Sequence, residues 1–186
     1  MAKRVLLIAA DGLEDIEAVA SIDVLNRSGV SVTLAALRDG PLAAAYGSRL
    51  LPDTTVDRAE PLYDAIVLPG GRKNAEALAA NAKVVELVRR HNIEGRLVAA
   101  ICAAPSHVLA EAAGVLGGRK ATGDPAFNDR LAAAGAYVTN QLVTVDRNII
   151  TGMGPGAALA FALMLAEYLV GREIADSLAR KWHFQR

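Results

Sequence analysis

Residues 97–114, "LVAAICAAPSHVLAEAAG", read as a strand, a sharp turn and a helix in that order. The run from Arg96 to Ile101 is apolar on both faces and too short for a helix, which suits a buried strand. Ala99, Ala100, Ala103 and Ala104 are small enough for a tight elbow around Cys102. Pro105 fits a first helical turn, where its missing N–H leaves nothing unpaired, so a helix is expected over 103–112.

The same strand-then-helix unit recurs along the chain. "RVLLIA" (4–9) is a strand, and 14–29 follows with helical spacing. There Ile16, Val19, Ala20 and Val24 share a face expected to meet the core, and Gly29 stops the helix. "VSVTLAAL" (30–37) is a second strand, and 38–60 is turn-rich with short strand-like pieces. "DAIVLPGG" (64–71) is a strand ending in a Pro-Gly-Gly turn, followed by a helix over 73–92. Weaker strand pieces fall at 119–123 and 137–145, with a small helix at 125–133. "NIITG" (148–152) is the last strand, and 156–184 is helical with a break at Gly171. Strands apolar on both faces and alternating with helices make an α/β sandwich around a mostly parallel sheet. No repeat or linker interrupts the 186 residues, so a single domain over 1–186 is expected.

Composition excludes several classes of function. Formal charge is zero, so no basic field draws the chain to nucleic acid or to an anionic membrane. The closing "RKWHFQR" is basic, but cations are favoured near a helix C-terminus, and it reads as a solvated end. The longest apolar stretch, "AALAFALMLAEYLVG", is shorter than the ~20 residues of a membrane span and contains Glu167. "MAKRVLLIAADG" has too short an apolar run for a signal peptide. A lone cysteine forms no internal disulfide, and together these features suggest a reducing, cytoplasmic compartment.

In parallel sheets, chemistry gathers at the carboxyl ends of strands. Three segments end strands there: "ADGLEDIE", "LPGGRKN" and "AAICAAP". Cys102 has two readings. It is a small core residue, as cysteines between alanines often are, or it is a nucleophile held at a strained elbow. In the second reading the helix N-terminus lowers the thiol pKa from about 8.5 to between ~3.5 and 7.5. Glu17 has no cation at helical spacing, unlike Asp23, which has Arg27 four residues on. A partly buried, unpaired carboxyl there keeps its proton at neutral pH and can work as acid and base. "LPGGRKNAE" lacks the phosphate-binding lysine-serine pair. Its glycines are a plain turn or, with exposed N–H groups, an oxyanion hole made by Gly70 and Gly71 together with Ala103. "TGMGPGAA" has the G-x-G-x-x-A spacing, but no further strand with an acidic end follows, so a nucleotide site is not expected and close packing is. His91, His107 and His183 lack metal-ligand spacing, and His107, five residues past Cys102, is expected to point away from the elbow; no metal is expected.

With "DGLEDIEAV", "LPGG", "AAICAAP" and "GPG" in this order, the chain resembles the ThiJ/PfpI superfamily. The resemblance runs nearly end to end and is strongest to the Parkinson-disease-associated deglycase (ThiJ-like) branch. It implies a flavodoxin-like three-layer sandwich and a homodimer. It also implies Cys102 as nucleophile, Glu17 as its supporting acid, and the amides of Gly71 and Ala103 around the oxyanion. There are departures. The protease-like branch has a histidine where Ala103 stands, which disfavours a Cys-His hydrolase. The "ATGDPAF" segment places Asp124 where this branch often has a histidine, and Met153 replaces an arginine often found before "GPG". The implied activity is a cysteine-dependent glyoxalase or deglycase acting on methylglyoxal, glyoxal or their early protein adducts, with no cofactor. The alternatives are an oxidative-stress sensor or redox-regulated chaperone using oxidation of Cys102, and a non-catalytic domain in which Cys102 only packs.

Overall fold

The computed structural model describes residues 2–59 and 62–185. Glu60, at the end of the turn-rich stretch, and Arg186, in the basic tail, lie outside the described residues. The strands are β1 Arg4–Ala9, β2 Ser31–Ala36, β3 Leu42–Ala43, β4 Arg49–Leu50, β5 Thr54–Thr55, β6 Ala65–Leu68, β7 Leu97–Ile101, β8 Lys120–Ala121, β9 Tyr137–Val138, β10 Val143–Asp146 and β11 Ile149–Gly152. The helices are α1 Asp15–Arg27, α2 Arg72–Ala80, α3 Ala82–Ile93, α4 Asn128–Ala133, α5 Ala158–Val170 and α6 Arg172–Lys181.

The central sheet runs β10-β11-β7-β6-β1-β2-β5. Every pairing in it is parallel except β10 with β11, which is antiparallel and closes one edge. This is a flavodoxin-like sheet. Its order reverses between β1 and β6, and the crevice at such a switch point is where ligands bind in open α/β sheets.

Alternation along each strand feeds two separate cores. Leu6, Ile8, Ile66, Leu68, Val98 and Ala100 face the side that also buries Leu78, Leu87 and Val108. Val5, Leu7, Val67, Ala99 and Ile101 face the side covered by α5 and α6 residues such as Phe161, Leu165 and Ala175. A fully buried Leu or Ile contributes about 1.5–3 kcal/mol, so strands buried on both faces anchor the fold.

Three expectations need correction. The helix over 73–92 is two helices. Asn81 adopts an extended backbone, and its side chain accepts the N–H groups of Lys83 (3.0 Å) and Val84 (3.1 Å), starting α3 afresh. The helix after the elbow, Pro105–Ala112, is wound in the wider π pattern, with Ala113 N–H donating to Val108 O at 2.8 Å. The third concerns α1. Its buried stripe is Glu17, Ala18, Ser21, Val24 and Leu25, while Ile16 and Val19 are 56% and 45% exposed. Ile16 and Val19 lie on the face that also carries Asp23 and Arg27, and that face meets solvent. Ser21 and Ser28 are tolerated inside because each hydroxyl donates to the carbonyl four residues back at 2.8 Å. The break at Gly171 (φ 100°) is present as expected. So is close packing at Gly152, where a Cβ would lie 2.8 Å from Ile101 Cγ1.

Candidate active site

β1, β6 and β7 end side by side, and the residues just past their ends converge. Cys102 follows β7 directly, with φ 64°, in the left-handed region that a cysteine rarely adopts. Such a pose costs on the order of 1–3 kcal/mol and persists only where neighbours enforce it. Here they do: Cys102 N–H donates to Gly152 O (3.0 Å), and Cys102 O accepts from Asp124 N–H (2.8 Å). The side chain is half-buried and lines two openings on the surface.

Glu17 sits in the first turn of α1 and is fully buried. The N-cap of α1 is Glu14, itself buried, whose carboxylate accepts Glu17 N–H at 2.8 Å. Glu17 Oε2 accepts Gly70 N–H at 2.7 Å, while Oε1 is buried without a hydrogen-bond partner among the described residues. A Cβ built on Gly70 would lie 2.5 Å from Cys102 Cβ and 2.6 Å from Glu17 Oε2. Only glycine allows this approach, and the same clash shows that thiol and carboxyl meet over one backbone position.

Gly70 is therefore corrected as an oxyanion donor, because its N–H is committed to Glu17. The N–H groups of Gly71 and Ala103 point instead at the Cys102 sulfur and favour its charged form. The Gly70–Gly71 peptide is fixed by its carbonyl, which accepts from Asn74 Nδ2 (3.0 Å) and Glu14 N–H (3.1 Å). C=O and N–H point oppositely across a trans peptide, so this grip aims Gly71 N–H toward the thiol. Asn74 is fully buried; it also donates to Pro69 O (2.7 Å) and accepts from Ala10 N–H (2.6 Å), tying the ends of β1 and β6 to α2. Sequence reasoning missed both Glu14 and Asn74. An asparagine early in a helix after a Pro-Gly-Gly turn carries only a weak hint of such a bracket.

Burial is the main cause of the Glu17 pKa rising to about 7; the Gly70 N–H opposes it, the Glu14 charge adds to it, and the nearby thiol lowers it. Cys102 is pushed up to about 12, first by burial and then by the charge of Glu17, against the Gly71 and Ala103 N–H groups. A thiol pKa lowered by the helix N-terminus alone is thus not what this site has. The two groups titrate as a pair, losing one proton near neutrality and the second only in strong alkali. Between those limits the site holds one proton and one negative charge.

Asp124 lies beside the thiol along both openings and raises the pKa of both partners through its charge. Its Oδ1 accepts Ala126 N–H at 3.0 Å, so it also caps the short turn that follows. His107 is buried on its own helix, lines neither opening beside Cys102, and packs edge-on against Phe127 at 4.7 Å. Its Nδ1 lies 2.8 Å from Ala103 O, a carbonyl that also accepts from Ser106 Oγ at 2.9 Å. His91 is buried far along the chain, bonded to Leu87 O (2.8 Å) and Tyr63 N–H (3.1 Å), and burial lowers its pKa. That is a structural role.

A flavodoxin-like sandwich with a strained cysteine at a strand–helix elbow, backed by a buried acid, defines a class of α/β proteins built around an elbow cysteine. The chain belongs to the DJ-1/PfpI family, whose model matches residues 3–168. It is 40% identical over 179 residues to Protein DJ-1 homolog A of Arabidopsis thaliana, covering 95% of this chain but spanning only 45% of that protein. The crystal structure of Drosophila melanogaster DJ-1beta matches with a TM-score of 0.94 at 36% identity, covering all of both chains. A protein of Caenorhabditis elegans named glutathione-independent glyoxalase DJR-1.2 is 32% identical over 176 residues, covering 94% of this chain and 92% of that one. Among the described residues no helix is long and apolar enough to cross a membrane.

Proposed function

We propose that the protein is a cofactor-independent glyoxalase acting on small α-oxoaldehydes, with Cys102 as nucleophile and Glu17 as proton carrier. The observation that carries this reading is the buried, unpartnered Oε1 of Glu17 beside an elbow cysteine. An orphaned buried oxygen is costly. Placing the shared proton on Oε1 and donating it to sulfur removes the orphan and leaves the negative charge on Sγ, where two N–H groups favour it. The family relationship to a protein named as a glyoxalase supports the same chemistry.

The thiolate adds to the aldehyde carbon of methylglyoxal, and the new oxyanion takes the proton from Glu17, giving a hemithioacetal. The amides of Gly71 and Ala103 hold that oxygen while it is charged. The Glu17 carboxylate then removes the hydrogen on the former aldehyde carbon as a proton, and the electrons move to the ketone oxygen, forming an enediolate. Glu17 returns the proton to the adjacent carbon, and the hydroxyl proton on the former aldehyde carbon passes to the neighbouring oxygen, leaving a thioester of a 2-hydroxy acid. Water cleaves it to lactate and free thiol. The net change is methylglyoxal plus water to lactate. Early adducts of dicarbonyls on protein side chains present the same carbon to the thiol. Purified protein with methylglyoxal should form lactate, and Cys102→Ser should abolish it; equal rates from both proteins would sink the reading.

A second reading shares the site. The half-buried thiolate reacts with hydrogen peroxide to sulfenate and, with a second equivalent, to sulfinate, each step releasing water. A protonated Glu17 Oε1 would hydrogen-bond the sulfinate and slow further oxidation. Intact mass after mild peroxide should show two added oxygens in the native protein and a different product in Glu17→Gln. Such oxidation fits a stress-protective role in a reducing, cytoplasmic compartment.

Exposed apolar side chains on α1 support a homodimer. Ile16 and Val19 are exposed on α1, and Asp15 of the same turn accepts the N–H groups of Tyr46 and Ser48 on the β3–β4 hairpin, where Tyr46 is 81% exposed. A second copy covering this face explains apolar side chains in such exposed places. Ile16→Glu with Val19→Glu should halve the mass seen by sedimentation.

A further inference from the structure

We propose that the thiol is served by an apolar subsite that selects α-oxoaldehydes with an uncharged alkyl or aryl substituent. This rests on the glyoxalase reading and names its substrate class.

One of the two openings beside Cys102 is a cavity of about 230 Å³ lined by Leu142, Met153, Pro125, Pro155, Ala157 and Asp124. A dry apolar cavity of about 150 Å³ holds a benzene ring, so this one has room for a butyl or phenyl group. The antiparallel ladder builds it. Val143 pairs with Gly152, and Met153 N–H donates to Leu142 O at 2.9 Å, which sets Leu142 and Met153 opposite each other. The same strand end receives the elbow, through Cys102 N–H to Gly152 O, so the apolar wall and the sulfur share one rigid support.

Leu142 is 58% exposed and Met153 half-buried, so apolar area next to a nucleophile faces water. An apolar group entering from the substrate would cover it. Among the described residues, Asp124 is the only carboxylate lining this cavity and no cation accompanies it, which disfavours an anionic substituent. The other opening differs in character. Asp11, Glu14, Arg72 and Lys73 line it together with Gly71, so the carbonyl end of the substrate belongs there and the carbon chain belongs against Met153.

Two measurements test the subsite. Alkylation of Cys102 by N-benzyliodoacetamide and by iodoacetamide, read by intact mass, compares an apolar with a minimal group on the same reacting carbon. Glutathione supplies the intrinsic ratio. The native protein should exceed that ratio about tenfold, the scale of one or two well-placed methylenes in a pocket. Met153→Gln with Leu142→Ser should return to the glutathione ratio, as should Leu142→Ser in part; both positions are solvent-facing and spare the core. A protein ratio equal to that of glutathione, or one unchanged by the substitutions, overturns the subsite. Turnover of 2-oxopentanal against methylglyoxal should favour the longer aldehyde about tenfold in kcat/KM. Alkylation preference without turnover of either aldehyde keeps the subsite and overturns the glyoxalase reading. Turnover with no preference in either measurement keeps the glyoxalase reading and overturns the subsite.

Discussion

Replacing Glu17 by Gln distinguishes the two places where the shared proton can reside. If it resides on Oε1, the charge that appears near neutrality is on sulfur, and thiolate absorbance at 240 nm should rise around pH 7 in the native protein. Gln fills the same space, can accept Gly70 N–H, and offers sulfur a neutral N–H in place of a carboxyl O–H. Hydrogen bonds to a charged partner are worth about 1.5–3 kcal/mol, and the weaker donor gives up part of that. A loss on the order of 1.4 kcal/mol moves the thiolate step up by about one pH unit. If instead the proton resides on sulfur, the native thiolate appears only near pH 12. Gln then removes the carboxylate that pushed it there, so the step moves down. The two cases predict opposite signs. Titrating both proteins, with Cys102→Ser as the blank, decides between them. A native protein with no thiolate below pH 9, or a Gln variant that titrates lower than native, refutes the proton placement and with it the mechanism.

Other outcomes follow from the same geometry. Burial raises the first proton loss from the usual 4.5 to about 7, so the unfolded chain releases that proton earlier than the folded one. Stability therefore falls as pH rises from 4.5 to 7, by on the order of 3 kcal/mol, and thermal melts of Glu17→Gln should lack most of that slope. Gly70→Ala places a methyl against both Cys102 Cβ and Glu17 Oε2. It should cost about 1–3 kcal/mol in chemical denaturation and remove nearly all lactate formation. Asp124→Asn keeps the cap on Ala126 but removes a negative charge that raises both partners. The thiolate step at 240 nm should shift to lower pH with little change in melting temperature.

The strands were legible because their signal is simple: five apolar runs, each bounded by turn residues. β1 and the break at Gly171 fell where expected. Cys102, Gly71 and Ala103 were also legible as candidates, since each stands just past a strand end, and so was Glu17, in the first turn of the helix after β1; the fold brings those ends together. What the chain does not display is reciprocal dependence. That Gly70 serves Glu17 rather than an oxyanion follows from a 2.7 Å hydrogen bond between residues 53 apart. That thiol and carboxyl titrate as a pair, the second proton leaving only in strong alkali, follows from burial of both groups side by side, which has no local signature. The split at Asn81 was readable in principle, as asparagine is a strong N-cap, but continuous apolar spacing on both sides concealed it.

The orientation of α1 links these observations. Ile16 and Val19 stand on the face of α1 that also carries Asp23 and Arg27, although fully burying each would contribute about 1.5–3 kcal/mol. The helix instead buries Glu17 and Ser21. Local rules broken in this way tend to mark function. Here the orientation of α1 does two things at once. It carries Glu17 to the end of β6, where Gly70 N–H receives it and the thiol lies beside it. It also leaves Ile16 and Val19 on the surface beside the β3–β4 hairpin, where a second copy would bury them. In the proposed homodimer the acid and the docking face would thus be coupled through one rigid helix. A substitution that frees α1 from its partner should then loosen the grip on Glu17 and shift the thiolate step, although Ile16 and Val19 touch neither sulfur nor substrate.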